Sequence, residues 1–468
     1  MALPENTRKS DTHSAPASCP TPPSLEGLHP GAKKLGLILG IVVAGFMASL
    51  FFHYEVGAVK HQPYPLSTFL FRPNDQFSDF YISPQVAASL NPDESRRVEN
   101  VGWGSSVILC YIWLRYTFFY PDYEFPLLVL YTCGFLGALF YFVRRTLLAI
   151  SPDCLWAKIL ALTLCSYPVL ISLDRSNQEN FIFVLVASAL LLLYDRRPRW
   201  AAALVGAAIA TKPYGVIFLP IFVTDCRFKE VFIALGVAVG TTVLALVVMP
   251  GNPLETLATV HRSMGSYMDY YVIGNEGMYF NASLHGLAKT LIYWNHWFLD
   301  GADPKAVVAF MRQFSSIYFG FALVIFAAVL ALMFAVRMPF WKKTALLACC
   351  INLLPYISGS YRMMYLFIPL LLFLAEKEVS REDRFFCVTF GLILIPKSYV
   401  HFLFDPVFRV FPFEVSDAQV LDPLSMTALL VGVAASVLQS RAPSDVALWI
   451  GEKLRPFRRR AAQAPANA

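Results

Sequence analysis

Long apolar runs separated by short polar breaks make up most of this 468-residue chain. A helix that crosses a bilayer needs roughly 20 mostly apolar residues. Runs approaching that length fall at 35–54, 127–143, 153–173, 180–194, 200–212, 214–224, 231–250, 315–336, 341–357, 362–376, 385–401 and 424–440. The two on either side of Lys212 are short. A further apolar stretch at 103–120 holds Arg115 and several tyrosines, so it reads as a re-entrant or juxtamembrane helix. The pattern predicts an all-α integral membrane protein with about 12 transmembrane helices.

Composition agrees with the pattern. At 57% hydrophobic and 15% charged residues, a soluble fold would expose more apolar surface than such folds carry. The basic residues then set the orientation, because short loops rich in Lys and Arg stay cytoplasmic. Lys33-Lys34, Arg144-Arg145, Arg196-Arg197-Arg199, Arg227 with Lys229, Arg337 with Lys342-Lys343, and Lys377 with Arg381 and Arg384 occupy alternate connections. The tail adds Arg455 and Arg458-Arg459-Arg460. Both termini are expected inside. A true crossing at 103–120 would place Arg144-Arg145 and Arg196-Arg197-Arg199 outside, against that rule.

The expected organisation is a disordered cytoplasmic tail over 1–34, a transmembrane domain over 35–440 and a basic cytoplasmic tail over 441–468. Large outer loops are expected at 55–126 and 251–313. Lys33-Lys34 followed by a long apolar run reads as an uncleaved signal anchor. The net charge of +6 is accounted for by anionic headgroups and calls for no nucleic-acid partner. The nine cysteines fall in spans, in the apolar 103–120 stretch or on the cytoplasmic side, so disulfides are not expected. No metal-ligand spacing and no internal repeat stand out.

Four polar clusters sit at the edges of apolar runs: Phe77-Ser78-Asp79-Phe80, Asp174-Arg175-Ser176-Asn177, Thr211-Lys212-Pro213 and Ser358-Gly359-Ser360-Tyr361-Arg362. Ionisable groups at a membrane boundary are costly unless they have a function or a partner. The topology puts all four on the outer face, where they can form one site. Asp79, between two phenylalanines, reads either as a general base or as a helix cap or solvent-facing charge. The outer loop at 251–313 is dense in aromatics, among them Tyr267, Tyr270, Tyr271, Tyr279, Phe280, Tyr293, Trp294 and Trp297. These read as sugar-stacking rings or as an interfacial belt. Asn281-Ala282-Ser283 also has the form of a glycosylation acceptor.

The segment Asp174-Arg175-Ser176-Asn177-Gln178-Glu179-Asn180, an apolar span, and then Ala203 through Gly206 to Thr211-Lys212-Pro213 resemble the Arg-Gly-Asn segment and the Gly-to-Lys-Pro helix of the GT87 family. That family of mannosyl- and arabinofuranosyltransferases lies within the GT-C superfamily, whose members use polyprenyl-phosphate sugars. Ser176 stands where Gly is usual. Asn281-Ala282-Ser283-Leu284 is similar to the family's Asn-Gln-Ser-Leu, with Ala282 as the departure. The resemblance covers about 35–440 and implies a GT-C type bundle that transfers a sugar, mannose being the expected one, to a glycolipid or glycan acceptor.

It further implies a catalytic carboxylate in the first outer loop, at Asp79, acting in an inverting displacement. Arg175, Lys212 and Arg362 are then candidates for the donor phosphate. Each has a structural alternative: for Arg175 a simple ion pair with Asp174 or Glu179, and for span-end cations snorkelling to the interface. Glu179 and Asn180 are placed to orient Arg175. Asn177, Glu179, Asn281, Ser283 and His285 are candidates for contact with sugar or acceptor. Asn177 equally suits a helix cap, and His285 a second acid/base group or a structural histidine. No cofactor and no metal are expected. The partners expected are the lipid-linked donor, the acceptor and membrane lipids, in a multi-pass protein of the inner (plasma) membrane with an extracytoplasmic site. The competing class is a transporter or flippase, with a non-catalytic scaffold as a third reading.

Overall fold

The computed structural model describes residues 29–61, 76, 77, 79, 80, 124–248, 252–274, 281–294, 304–397 and 417–440. The expected helix at 103–120, the tail at 441–468 and most of the N-terminal tail lie outside the described residues. The described chain is helical, with an isolated antiparallel bridge between Asn281 and Gly359. Helix is present within each of the twelve apolar runs. Among the described residues, five helices are long and apolar enough to cross a membrane, or six if one bent pair counts as a span.

The first helix, α1 (Pro30–His53), begins inside the stretch expected to be disordered. Pro30 supplies a preset φ at a position where the missing N–H goes unused, and His29 Nδ1 accepts the Gly31 N–H at 3.1 Å. After α2 (Glu124–Ile150), the run at 153–173 is not one rod. It divides into α3 (Leu155–Leu164) and α4 (Tyr167–Arg175), bent by 65°. Pro168 lies in the first turn of α4 and cannot continue the hydrogen-bond ladder of α3. Then follow α5 (Glu179–Tyr194), α6 (Pro198–Thr211), a 3-10 turn over Pro213–Phe218, α7 (Leu219–Thr224) and α8 (Phe228–Val248).

The expected outer loop at 251–313 carries α9 (Pro253–Tyr267) with a π turn over Met268–Ile273, α10 (Leu284–Trp294) and the first turns of α11 (Pro304–Ala335). The remaining elements are α12 (Phe340–Leu353), a 3-10 turn over Ser360–Leu366, α13 (Phe367–Ala375), α14 (Asp383–Leu394) and α15 (Asp417–Ser440).

Packing follows membrane rules, in which small side chains let backbones approach. The helix α6 lies between α5 and α8, with Ala201, Ala202, Val205 and Ala208 buried. A Cβ on Gly206 would stand 2.4 Å from the Ala234 carbonyl oxygen, so this glycine sets the α6–α8 approach. The outer faces stay apolar, with Phe232, Val247 and Val324 among the most exposed side chains.

Ionic contacts distinguish the two ends of the bundle. At one end Lys34 pairs with Asp383 at 3.1 Å, Arg145 with Asp195 at 2.6 Å and Lys343 with Asp225 at 2.7 Å. At the other, α4 ends, α5 begins, α6 ends, and the chain from α12 turns into Ser360–Leu366. The four polar clusters meet there.

Candidate active site

The loop bearing Asp79 is anchored on α4 through its backbone. The Phe77 N–H donates to the Asp174 carbonyl at 2.7 Å, and Phe80 N–H to the Phe77 carbonyl at 2.9 Å. Phe80 packs on the Tyr131 ring at 5.6 Å, and the Tyr131 hydroxyl donates to the Asn177 carbonyl at 2.6 Å. Asp79 is buried at 8% exposure. Its Oδ1 accepts from the Arg175 guanidinium, and its Oδ2 from Asn177 Nδ2 at 2.7 Å. A buried carboxylate so held is stabilised by a charge-assisted bond as well as by its neutral donor.

Ser176 explains how Arg175 and Asn177 point into one space. It closes α4 at φ 45°, a left-handed conformation that reverses the chain within one residue. Glycine adopts that region without cost. Here serine holds it, with its hydroxyl donating to the Leu173 carbonyl at 3.0 Å.

Glu179 is the second centre. Its Oε1 accepts from Lys212 Nζ at 2.8 Å and from Arg362 Nε at 3.0 Å. Its Oε2 accepts from the Tyr214 hydroxyl and from the Tyr365 hydroxyl at 3.0 Å. Four donors thus converge on one carboxylate that is 2% exposed. The Arg362 guanidinium also lies over the Tyr214 ring, 4.6 Å from its centroid. Asn177 joins the centres: while Nδ2 serves Asp79, Oδ1 accepts from the Glu179 N–H at 3.0 Å and Lys212 Nζ at 3.4 Å. Counting these five ionised groups, three cations against two carboxylates leave a net charge of +1.

Arg175 therefore pairs with Asp79, neither of the local partners expected for it. Glu179 orients Lys212 and Arg362 in place of Arg175. Asn180, the other group expected to orient Arg175, donates instead to the Ser172 carbonyl at 3.0 Å. Arg362 lies at the centre of the cluster. It shares a 3-10 turn with Tyr365, where residues three apart eclipse, so both reach Glu179. Tyr214 and Tyr365 are site residues that the sequence does not single out, since tyrosines at span ends look interfacial. The Lys212-Pro213-Tyr214 and Arg362-to-Tyr365 spacings were the available signals.

Asn281, Ser283 and His285 are placed differently. Asn281 Oδ1 accepts from the Ser283 N–H at 3.1 Å and the Ser358 N–H at 2.9 Å, and its Nδ2 donates to the Tyr356 carbonyl at 3.1 Å. The Ser283 hydroxyl donates to the same carbonyl at 3.0 Å. These side chains pin the 281–284 segment to the strand-like stretch that leads to Arg362. At 2% exposure, Asn281 is also closed to glycosylation in the folded chain. Gly359 belongs to the same stretch, and a Cβ there would stand 2.5 Å from Tyr361 Cζ.

His285 bonds Ser315 Oγ through Nε2 at 3.1 Å and lies among the rings of Phe314, Tyr318 and Tyr356. Burial, reinforced by the nearby Lys289 charge, lowers its pKa to about 4, so the ring is neutral at physiological pH. Lys289, itself lowered to about 8 by burial, caps the carbonyls of Val272 and Gly274.

An apolar groove of about 530 Å³ opens beside Tyr214, between α7, α11 and α12. Its walls include Ile217, Pro220, Phe326, Leu354 and Tyr356.

Fold and site together define a multi-pass helical membrane protein with a buried ionic centre at one end of its bundle. The model of glycosyltransferase family 87 matches residues 116–358, and the chain belongs to that family. It is thus a glycosyltransferase rather than a transporter or a scaffold. The matched region holds Arg175, Asn177, Glu179, Lys212, Asn281, Ser283 and His285, while Asp79 and Arg362 lie outside it. Comparison with curated proteins gives no match.

Proposed function

We propose that the protein takes its sugar from a polyprenyl-phosphate-linked donor, with mannose the first candidate. It passes that sugar to a glycolipid or glycan acceptor on the extracytoplasmic face of the inner membrane. In this reading the chain crosses the bilayer twelve times, with both termini cytoplasmic. The reading rests on one observation: a loop carboxylate, Asp79, shares a buried cluster with three cations at the bundle end where the four polar clusters meet.

Asp79 takes the proton from the acceptor hydroxyl as that oxygen bonds to the anomeric carbon from the face opposite the phosphate. The anomeric carbon–oxygen bond to phosphate breaks, its electron pair goes to the phosphate, and the configuration inverts. The charge of +1 on the five groups suits a phosphodiester bearing one negative charge. Arg175, Lys212 and Arg362 meet the second charge that develops as the phosphate leaves. Glu179 holds Lys212 and Arg362 in position. The groove beside Tyr214 receives the first isoprenoid units of the carrier, bringing an apolar tail and an ionic head together.

The test uses purified protein in lipid nanodiscs with labelled polyprenyl-phosphate mannose and a lipid acceptor. Asp79→Asn should fold and retain donor binding while transfer is lost. An Asp79→Asn protein that still glycosylates the acceptor removes Asp79 from the chemistry. Failure of the wild-type protein to consume any polyprenyl-phosphate sugar overturns the donor class.

A further inference from the structure

The opposite end of the bundle carries a second groove, of about 430 Å³, between α2, α5 and α13. Along most of its length the walls are apolar, with Phe142, Ala187, Leu190, Leu371 and Leu372 among them. Basic side chains line it as well: His29, Arg145 and Lys377. Arg145 belongs to the end of the bundle remote from Asp79, where it pairs with Asp195 at 2.6 Å. Lys377 is exposed just beyond α13, and its sequence neighbours Glu376 and Glu378 do not line the groove. Arg145, Lys377 and Asp195 sum to +1.

Length and charge together select an occupant. On α5 the groove reaches from Tyr194 to Phe183, a rise of about 16 Å at 1.5 Å per residue, close to half of a hydrocarbon core about 30 Å thick. That is the depth of one leaflet. The lipid-linked donor does not suit it: Tyr194 lies about 22 Å along α5 from Glu179, so a phosphate at this mouth is far from Asp79. We infer that the groove binds an anionic glycerophospholipid of the leaflet facing away from the active site. Its phosphate lies between Arg145 and Lys377, and one acyl chain runs along α5 to Phe183. This rests on the membrane-embedded bundle and is independent of the role of Asp79.

The experiment places the full-length protein in phosphatidylcholine nanodiscs doped with photoreactive phosphatidylglycerol bearing a diazirine near the end of one acyl chain. Crosslinks are mapped by mass spectrometry. Labelling is expected on the peptides containing Phe183 and Ile368, stronger than with the matching phosphatidylcholine probe. A membrane-surface cation contributes roughly a fivefold preference for anionic lipid. Lys377→Gln should remove that factor, and the paired variant Arg145→Gln/Asp195→Asn should weaken labelling less. Inorganic phosphate in excess should not compete. Equal labelling by the two probes, no response to Lys377→Gln, or competition by inorganic phosphate would each overturn the inference. Asp79→Asn protein should label as wild type does, which keeps this result separate from the fate of the catalytic proposal.

Discussion

Replacing Glu179 by Gln tests whether the second centre exists to position cations. Glutamine keeps the shape but not the charge. Its amide group can turn toward Tyr214 and Tyr365, whose hydroxyl oxygens accept as well as donate, so contacts on that side survive. The carbonyl oxygen then faces Lys212 and Arg362, and two charge-assisted bonds become bonds to a neutral acceptor. Hydrogen bonds to charged groups contribute about 1.5–3 kcal/mol and neutral ones about 0.5–1.5. Two such changes therefore remove about 2–3 kcal/mol, or roughly 30- to 150-fold in an equilibrium or rate constant. If Lys212 and Arg362 hold the donor phosphate, that factor should appear in kcat/KM for the donor, measured in nanodiscs with labelled polyprenyl-phosphate sugar. Glu179→Ala is a poorer probe, since removing one partner of a buried ion pair costs about 3–5 kcal/mol and threatens the fold. In a double-mutant cycle, Lys212→Ala in the Glu179→Gln background should lose less than Lys212→Ala alone. A Glu179→Gln enzyme with unchanged donor kinetics and an unchanged thermal midpoint would refute the positioning role.

Further tests address other parts of the fold. His285 titrates at about 4 when folded against an ordinary 6.5, so the unfolded chain binds its proton first as pH falls. Stability from this group is complete above pH 6.5 and declines by about 3 kcal/mol toward pH 4. The thermal midpoint of His285→Gln should therefore fall less over that window than wild type, and parallel curves would exclude the effect. Ser176→Gly should stay within about 1 kcal/mol of wild type, while Ser176→Val, β-branched at positive φ, should lose about 1–3 kcal/mol in thermal unfolding. Gly206→Ala should cost about 1–3 kcal/mol, because its Cβ meets the Ala234 carbonyl. Unaltered unfolding of Gly206→Ala would show that α6 and α8 move apart freely.

Much of this arrangement was legible in the chain. Hydrophobic runs located the helices, because burial in lipid demands continuous apolar length. The alternation of basic loops put Asp79, Arg175, Lys212 and Arg362 on one face, and in the fold they do share one end of the bundle. Their pairing was not legible. Arg175 has Asp174 beside it in sequence yet binds Asp79, 96 residues away, and Glu179 binds Arg362 across 183 residues. Local spacing carries no information about such closures. The break between α3 and α4 was hidden for a different reason. Apolar residues lie on both sides of Ser166, so the run reads as one span, while Pro168 in the first turn of α4 cannot join the ladder of α3.

The Glu179 centre also has a consequence for how the chain is made. Lys212 follows Glu179 by 33 residues and Arg362 by 183. During synthesis, Asp79 with Arg175 and Glu179 with Lys212 can be neutralised one against one while the last third of the protein is still to emerge. Four of the five groups then sum to zero. The net positive charge of these five groups is complete only when the segment carrying Arg362 docks, so a ribosome-bound intermediate lacking that segment would hold both ion pairs without it.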